Sequence, residues 1–322
     1  MATHPRPGRT DATRRDPGAP QLVPLPADLD VASAEAWCRG VAAAHYENFT
    51  VASRLVPRGL RQDLANVYAF ARWSDDLADE ASSPEAAGEA LAEWRRRLED
   101  CFAGRPDHPV FVALQGTVRR HRLAIDPFSD LLDAFDEDRA FDQAGTTVRY
   151  RTRDELVGYC RRSADPVGRI VLALGGCREP RAVEMSDRIC TGLQLVNFWQ
   201  DVRRDRSAGR VYLPAEDMAR HGVDEATLDG TEATGAFRSL LRDEVAWARS
   251  LFDGGAALRR EAPPPLRAAI GLFLAGGRAV ADSIEAAGFD TLSARPTLGP
   301  WRKAGLAARA AAGIAWSSFT GA

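Results

Sequence analysis

From about Asp28 onward the apolar residues recur at intervals of three and four, and runs of alternating β-branched residues are almost absent. That pattern predicts an all-α chain. Several helix starts are legible. Pro57 opens "PRGLRQDLANVYAFARWSDDLADE" and Asp126-Pro127 opens "PFSDLLDAFDEDRAF". Thr152 with Glu155 forms a capping box before "LVGYCRRSADPVGRIVLALGG", where Gly175-Gly176 supplies the stop. "VEMSDRICTGLQLVNFWQDVRRD" is apolar on nearly every side, as a central helix is, so its polar residues need partners. With no internal repeat and no linker rich in Pro, Gly or Ser, residues 29–322 read as one domain, large enough for a helical barrel around a central cavity. Residues 1–28, rich in Pro, Gly and Arg, read as a disordered tail.

Within the central helix, Asn197, Asp201 and Asp205 repeat every four residues, and Gln194 continues their line. The earlier helix carries a similar stripe: Asp75 and Asp79 with Asp76 between them, and Arg72 and Tyr68 one and two turns before. One acidic pair at this spacing is ordinarily a solvated face, and the stretch "DLLDAFDEDRAFD" is read in that way. Two such pairs in apolar helices change the reading. Carboxylates gathered without a counter-charge cost several kcal/mol, and oxygen donors without Cys or His suit a hard cation such as Mg²⁺. Because Mg²⁺ prefers one or two carboxylates plus phosphate oxygens, the stripes suit a metal-bridged diphosphate that brings its own charge into a cavity.

Composition narrows the setting. With 45% apolar and 27% charged residues and a net charge of -3, the chain reads as a soluble globular protein without a nucleic-acid stripe. Cys38, Cys101, Cys160, Cys177 and Cys190 are widely spaced and never form a C-x-x-C pair, which fits a reducing cytoplasm. Arg14-Arg15 is followed by "DPGAP" rather than an apolar stretch, so export is not expected. No window approaches the roughly 18 apolar residues of a membrane span. The last helix, "WRKAGLAARAAAGIAW", is expected to dock on the body, with peripheral contact at the inner membrane face as the alternative.

"YAFARWSDDLADE" and "LQLVNFWQDVRRDRSAGRVYLP" resemble the first and second aspartate-rich motifs of the squalene/phytoene synthase family, including the trailing Arg-x-Tyr-Leu-Pro. The resemblance covers roughly residues 40 to 305. It implies an isoprenoid synthase fold, Mg²⁺ and a prenyl diphosphate substrate. It further implies that Asp75, Asp79, Asn197, Asp201 and Asp205 hold the metal ions or their waters, and that Arg72, helped by His45 and Arg210, meets the diphosphate. Tyr68, Gln194 and Tyr212 would line the reaction centre, although both tyrosines are equally consistent with packing.

Among the branches, "HYENFTVASRLVPRGLR" and "SADPVGR" look most like the hydroxysqualene synthases of hopanoid biosynthesis. Those convert presqualene diphosphate and water to hydroxysqualene and diphosphate, with Asn48, Tyr68 or Tyr212 able to position the water. Thr50 and Asp165 depart from that branch's pattern. No dinucleotide motif is present, consistent with a reaction that needs no NADPH. The rival is a condensing synthase that makes presqualene diphosphate, squalene or phytoene from farnesyl diphosphate or its homologues. On the hydroxysqualene reading, a presqualene diphosphate synthase in the same pathway would be a partner. A non-catalytic assembly factor on the same fold is the rival of another class, and the intact aspartates speak against it.

Overall fold

The computed structural model describes residues 30–44, 56–79, 81 and 83–299, the side chain of Asp79 excepted. The tail, His45, Asn48 and the last expected helix lie outside the described residues. The described chain runs α1 (Val31–Ala44), α2 (Arg58–Asp79), α3 (Pro84–Phe102), α4 (Pro109–His121), α5 (Asp126–Ala144), α6 (Arg153–Ser163) and α7 (Asp165–Leu174). It continues as α8 (Pro180–Ser207), α9 (Ala215–His221), α10 (Glu225–Leu228), α11 (Gly235–Gly255), α12 (Leu258–Glu261) and α13 (Pro264–Ala286). No strand occurs among the described residues; the nearest approach is an isolated parallel bridge between Val148 and Val211.

Local chemistry explains most of the boundaries. α2 begins directly after Pro57, and α5 has Asp126 and Pro127 in its first turn. Thr152 caps α6 by accepting from the Glu155 amide at 3.2 Å, but the Glu155 carboxylate returns to the Arg151 amide at 2.7 Å rather than to Thr152. The box is therefore one residue wide of the expected form. The stretch expected to continue unbroken to Gly175 instead breaks at Ala164, because Pro166 disfavours helical backbone before it and starts α7 as a separate element.

Two cores result. The first gathers α1 to α5 around Phe70, Trp94, Phe111 and Phe128, with Trp94 and Phe111 ring centroids 4.4 Å apart. The second packs α8 against α11 and α13 around Trp199, Phe237 and Phe252. Phe252 fills a seat made by two glycines: a Cβ on Gly192 would lie 2.9 Å from its ring and one on Gly277 2.5 Å. α7 joins the cores, giving Ile170 and Leu174 to the first and Leu172 to the second. Since α2 belongs to one core and α8 to the other, their charged stripes are left off both. All five cysteines are free.

A buried ionic knot fastens α9 to α6 and α11. Arg153 donates to Asp217 at 2.9 Å and to Glu244 at 3.2 Å, lies 4.7 Å over the Trp247 ring, and both carboxylates are inaccessible to solvent. Burial, only partly offset by Arg153 and reinforced by Asp217, pushes the Glu244 carboxyl up to about 8. The folded chain then holds a proton that the unfolded chain has lost, so this site's contribution to stability falls as pH rises from near 4.5 through about 8. Glu244→Gln, which keeps an acceptor for Arg153 but cannot ionise, is expected to lose less stability than wild type between pH 6 and pH 9. Urea midpoints at the two pH values measure this, and parallel losses would show that Glu244 does not titrate in that window.

Candidate active site

On α2, Arg72 reaches along its own helix to Asp75 at 3.1 Å and to Asp76 at 2.5 Å. The guanidinium thus holds the first acidic group together, with Asp76 more buried than Asp75. Tyr68 stands half-buried beneath them, its phenol pushed up by burial against the pull of Arg72.

On α8, Gln194 is half-buried, Asn197 is exposed, and Asp201 and Asp205 lie at intermediate depth. Asp201 is gripped by Arg295, whose guanidinium also bonds the Gln200 side chain at 3.1 Å. This arginine comes from the segment after α13, and nothing in its local sequence marks it. Burial, with Asp201 second, pushes the Asp205 carboxyl up to about 7, against the nearby charges of Arg204, Arg210 and Arg149. Asp205, Arg210 and Tyr212 line one small cleft with Phe198 and Trp199. Arg210 and Tyr212, expected on the resemblance alone, are therefore brought to the α8 acids by the fold.

The acidic stretch of α5 departs from its solvated-face reading. Asp138 points inward, accepts a 2.6 Å hydrogen bond from the Tyr159 hydroxyl and a longer one of 3.4 Å from Tyr212, and pairs at 2.5 Å with the fully buried Arg149. Arg149 also grips Asp142, which Arg210 meets at 2.7 Å. The Val148–Val211 bridge sets up this convergence by carrying Arg149 and Arg210 on adjacent stretches of backbone. Tyr150 donates to Glu137 at 3.2 Å, and Glu137 pairs with Arg162. Phe198 and Tyr212 stack at 3.9 Å, and Tyr150 and Tyr159 lie beside them. The sequence signal for this wall was three tyrosines and three arginines scattered over distant segments, which no local period connects.

Among the described residues no three of His, Cys, Asp and Glu converge as a ready-made metal site. Instead the acids sit in groups neutralised by Arg72, Arg295, Arg149 and Arg210.

Over residues 42–302 the sequence matches the family described as squalene/phytoene synthase. The chain belongs to the squalene/phytoene synthase family. Its relatives include the phytoene synthase of Arthrospira platensis, 32% identical over 83% of this chain and 88% of that one. Among solved structures, the squalene synthase HpnC of Alicyclobacillus acidocaldarius superposes with a TM-score of 0.75 and 37% identity, over 81% of this chain and 97% of that one. A dehydrosqualene synthase in complex with ligand superposes with a TM-score of 0.78 at 25% identity, over 88% and 96% of the two chains. The fold is the isoprenoid synthase fold, and family members are synthases acting on prenyl diphosphates.

Proposed function

We propose that this squalene/phytoene synthase homologue is a hydroxysqualene synthase, converting presqualene diphosphate and water to hydroxysqualene and diphosphate. The observation that carries the ionisation step is the pair of acid stripes on α2 and α8, set off both cores and each clasped by an arginine. The branch rests on the residues resembling hydroxysqualene synthases, "HYENFTVASRLVPRGLR" and "SADPVGR".

The donor set fits Mg²⁺: it is all oxygen, and the Asp205 carboxyl, raised by burial and by Asp201, is a group that a cation would relieve. Asp75, Asp79, Asn197, Asp201 and Asp205 would hold the ions, which when bound withdraw electrons from the leaving diphosphate. Arg72 and Arg210 bind the diphosphate oxygens as that charge develops. Tyr68, Tyr212 and Phe198 present ring faces to the cyclopropylcarbinyl cation that remains, and Gln194 orients the substrate beside them. The aromatic wall excludes bulk water until the cation has rearranged. One water then adds its oxygen to the cation, and the proton it sheds leaves with the diphosphate.

Incubation with presqualene diphosphate and Mg²⁺ in ¹⁸O-labelled water, without NADPH, is expected to yield labelled hydroxysqualene, with neither rate nor product changed by added NADPH. Squalene as the main product with NADPH would overturn the reading. The names of the phytoene synthase relatives favour one rival, a synthase condensing two prenyl diphosphates. Rapid consumption of farnesyl diphosphate supplied alone would establish that rival.

A further inference from the structure

The C-terminal end of α4 and the start of α8 form a basic surface remote from the acid stripes. α4 ends Arg119-Arg120-His121, and Arg122 follows in the left-handed backbone region at φ 50°. Arg178, just ahead of α8, donates to the His121 carbonyl and to the Arg122 carbonyl at 3.3 Å. A positive charge at a helix C-terminus complements the helix dipole. Here Arg178 already meets the open carbonyls from another element, so the dipole does not account for the arginines around it.

Neighbouring acids do not neutralise the group. Asp63, the carboxylate packed under this end, is buried and consumed by Arg120 at 2.8 Å, His121 at 2.9 Å and Thr117 at 2.8 Å. Arg119, Arg122 and Arg178 are exposed, and none of them has a carboxylate within ion-pair distance among the described residues. Glu179 and Asp126 are the nearest acids in sequence. Distance separates the cluster from the catalytic acids. Asp63 to Asp75 along α2 is about 18 Å, and Pro180 to Asp201 along α8 is about 32 Å, at the helical rise per residue. Both acid stripes lie toward the C-terminal ends of their helices, whereas the arginines gather where those helices begin.

We propose that the surface made by Arg119, Arg122 and Arg178 docks the protein on an anionic bilayer. The purpose rests on the proposed function, since a C30 substrate and product partition into lipid, but docking itself is independent of turnover. Three exposed guanidiniums clustered on one end suit a plane of phosphate headgroups, and each contributes about five-fold in partitioning near such a surface.

The test uses the full chain without substrate, co-sedimented at about 0.1 M salt, roughly one Debye length of 10 Å. The vesicles are phosphatidylcholine alone or phosphatidylcholine with phosphatidylglycerol. Wild type is expected to bind the mixed vesicles, weakly the neutral ones, and less at high salt. The combined R119E, R122E and R178E variant is expected to lose binding by at least about 100-fold. Because R178E also disturbs the α4 end, the corresponding triple Gln variant, which keeps donors for the carbonyls, serves beside it and should lose an intermediate amount. Arg96, Arg188 and Arg278, exposed elsewhere, provide the control. If their triple Glu variant falls as far, net charge and not this surface binds lipid, and the proposal fails. It also fails if wild type ignores the phosphatidylglycerol, or if a nucleic-acid fragment binds the same arginines at least as tightly as the vesicles.

Discussion

Asp75→Asn and Asp201→Asn are each expected to lower diphosphate release by about 10²-fold or more while leaving far-UV circular dichroism unchanged. The size of the effect follows from what the carboxylates face. Asp75 pairs along one helix with the partly exposed Arg72, a contact worth under about 1 kcal/mol to the fold. Asp201 lies on α8 against Arg295, itself half-exposed. Asn preserves volume and polarity at both sites, so folding loses little, whereas a neutral amide cannot supply the negative charge that a cation needs. A second readout separates loss of metal binding from loss of chemistry. Mg²⁺ together with inorganic diphosphate should raise the thermal midpoint of wild type, since both bind only the folded chain, and should raise that of either variant much less. Near-normal turnover in either variant would return that stripe to an ordinary solvated face.

Arg149→Met is expected to cost about 3–5 kcal/mol of folding free energy, the usual penalty for removing one partner of a buried ion pair. Arg149 has no exposed side-chain surface and neutralises both Asp138 and Asp142. Without it, Asp138 keeps the hydroxyls of Tyr159 and Tyr212 and the more distant charge of Arg210, and burial, which already pushes its carboxyl up, leaves it to take a proton or open the structure. Arg149→Lys should fall between, because an ammonium lacks the planar fork that spans two carboxylates. Arg210→Met should cost less, since Arg210 is about a third exposed and Asp142 retains Arg149. Urea unfolding of the three variants measures the order. Equal losses for the Arg149 and Arg210 methionine variants would mean that the α5 acids are solvated after all.

The placement of Arg149 marks where reading the chain in one dimension stopped. Helical periodicity, Pro at helix starts and the Thr152 cap are local, each set by interactions within about one turn, and they carry the all-α class and most element boundaries. The two aspartate stripes were legible for the same reason: spacing by four on a helix is a property of sequence alone. The break at Ala164 is not legible in the same way, because Pro166 competes with a strong apolar period on both sides.

What folding alone decided is which distant charges meet. Arg295 lies 94 residues from Asp201, Arg210 lies 68 from Asp142, and the Tyr212 hydroxyl reaches across 74 to Asp138. In the sequence, "DLLDAFDEDRAFD" looks like a surface; in the fold, the Val148–Val211 bridge brings Arg149 against it and turns part of it inward. A charge run is buried only when counter-charges arrive from elsewhere, because the cost of desolvating a carboxylate is met by partners whose positions local propensity does not encode. The sequence by itself therefore determined the helices and the acids they carry, and the tertiary structure determined which arginines and tyrosines hold those acids in charged or neutral form.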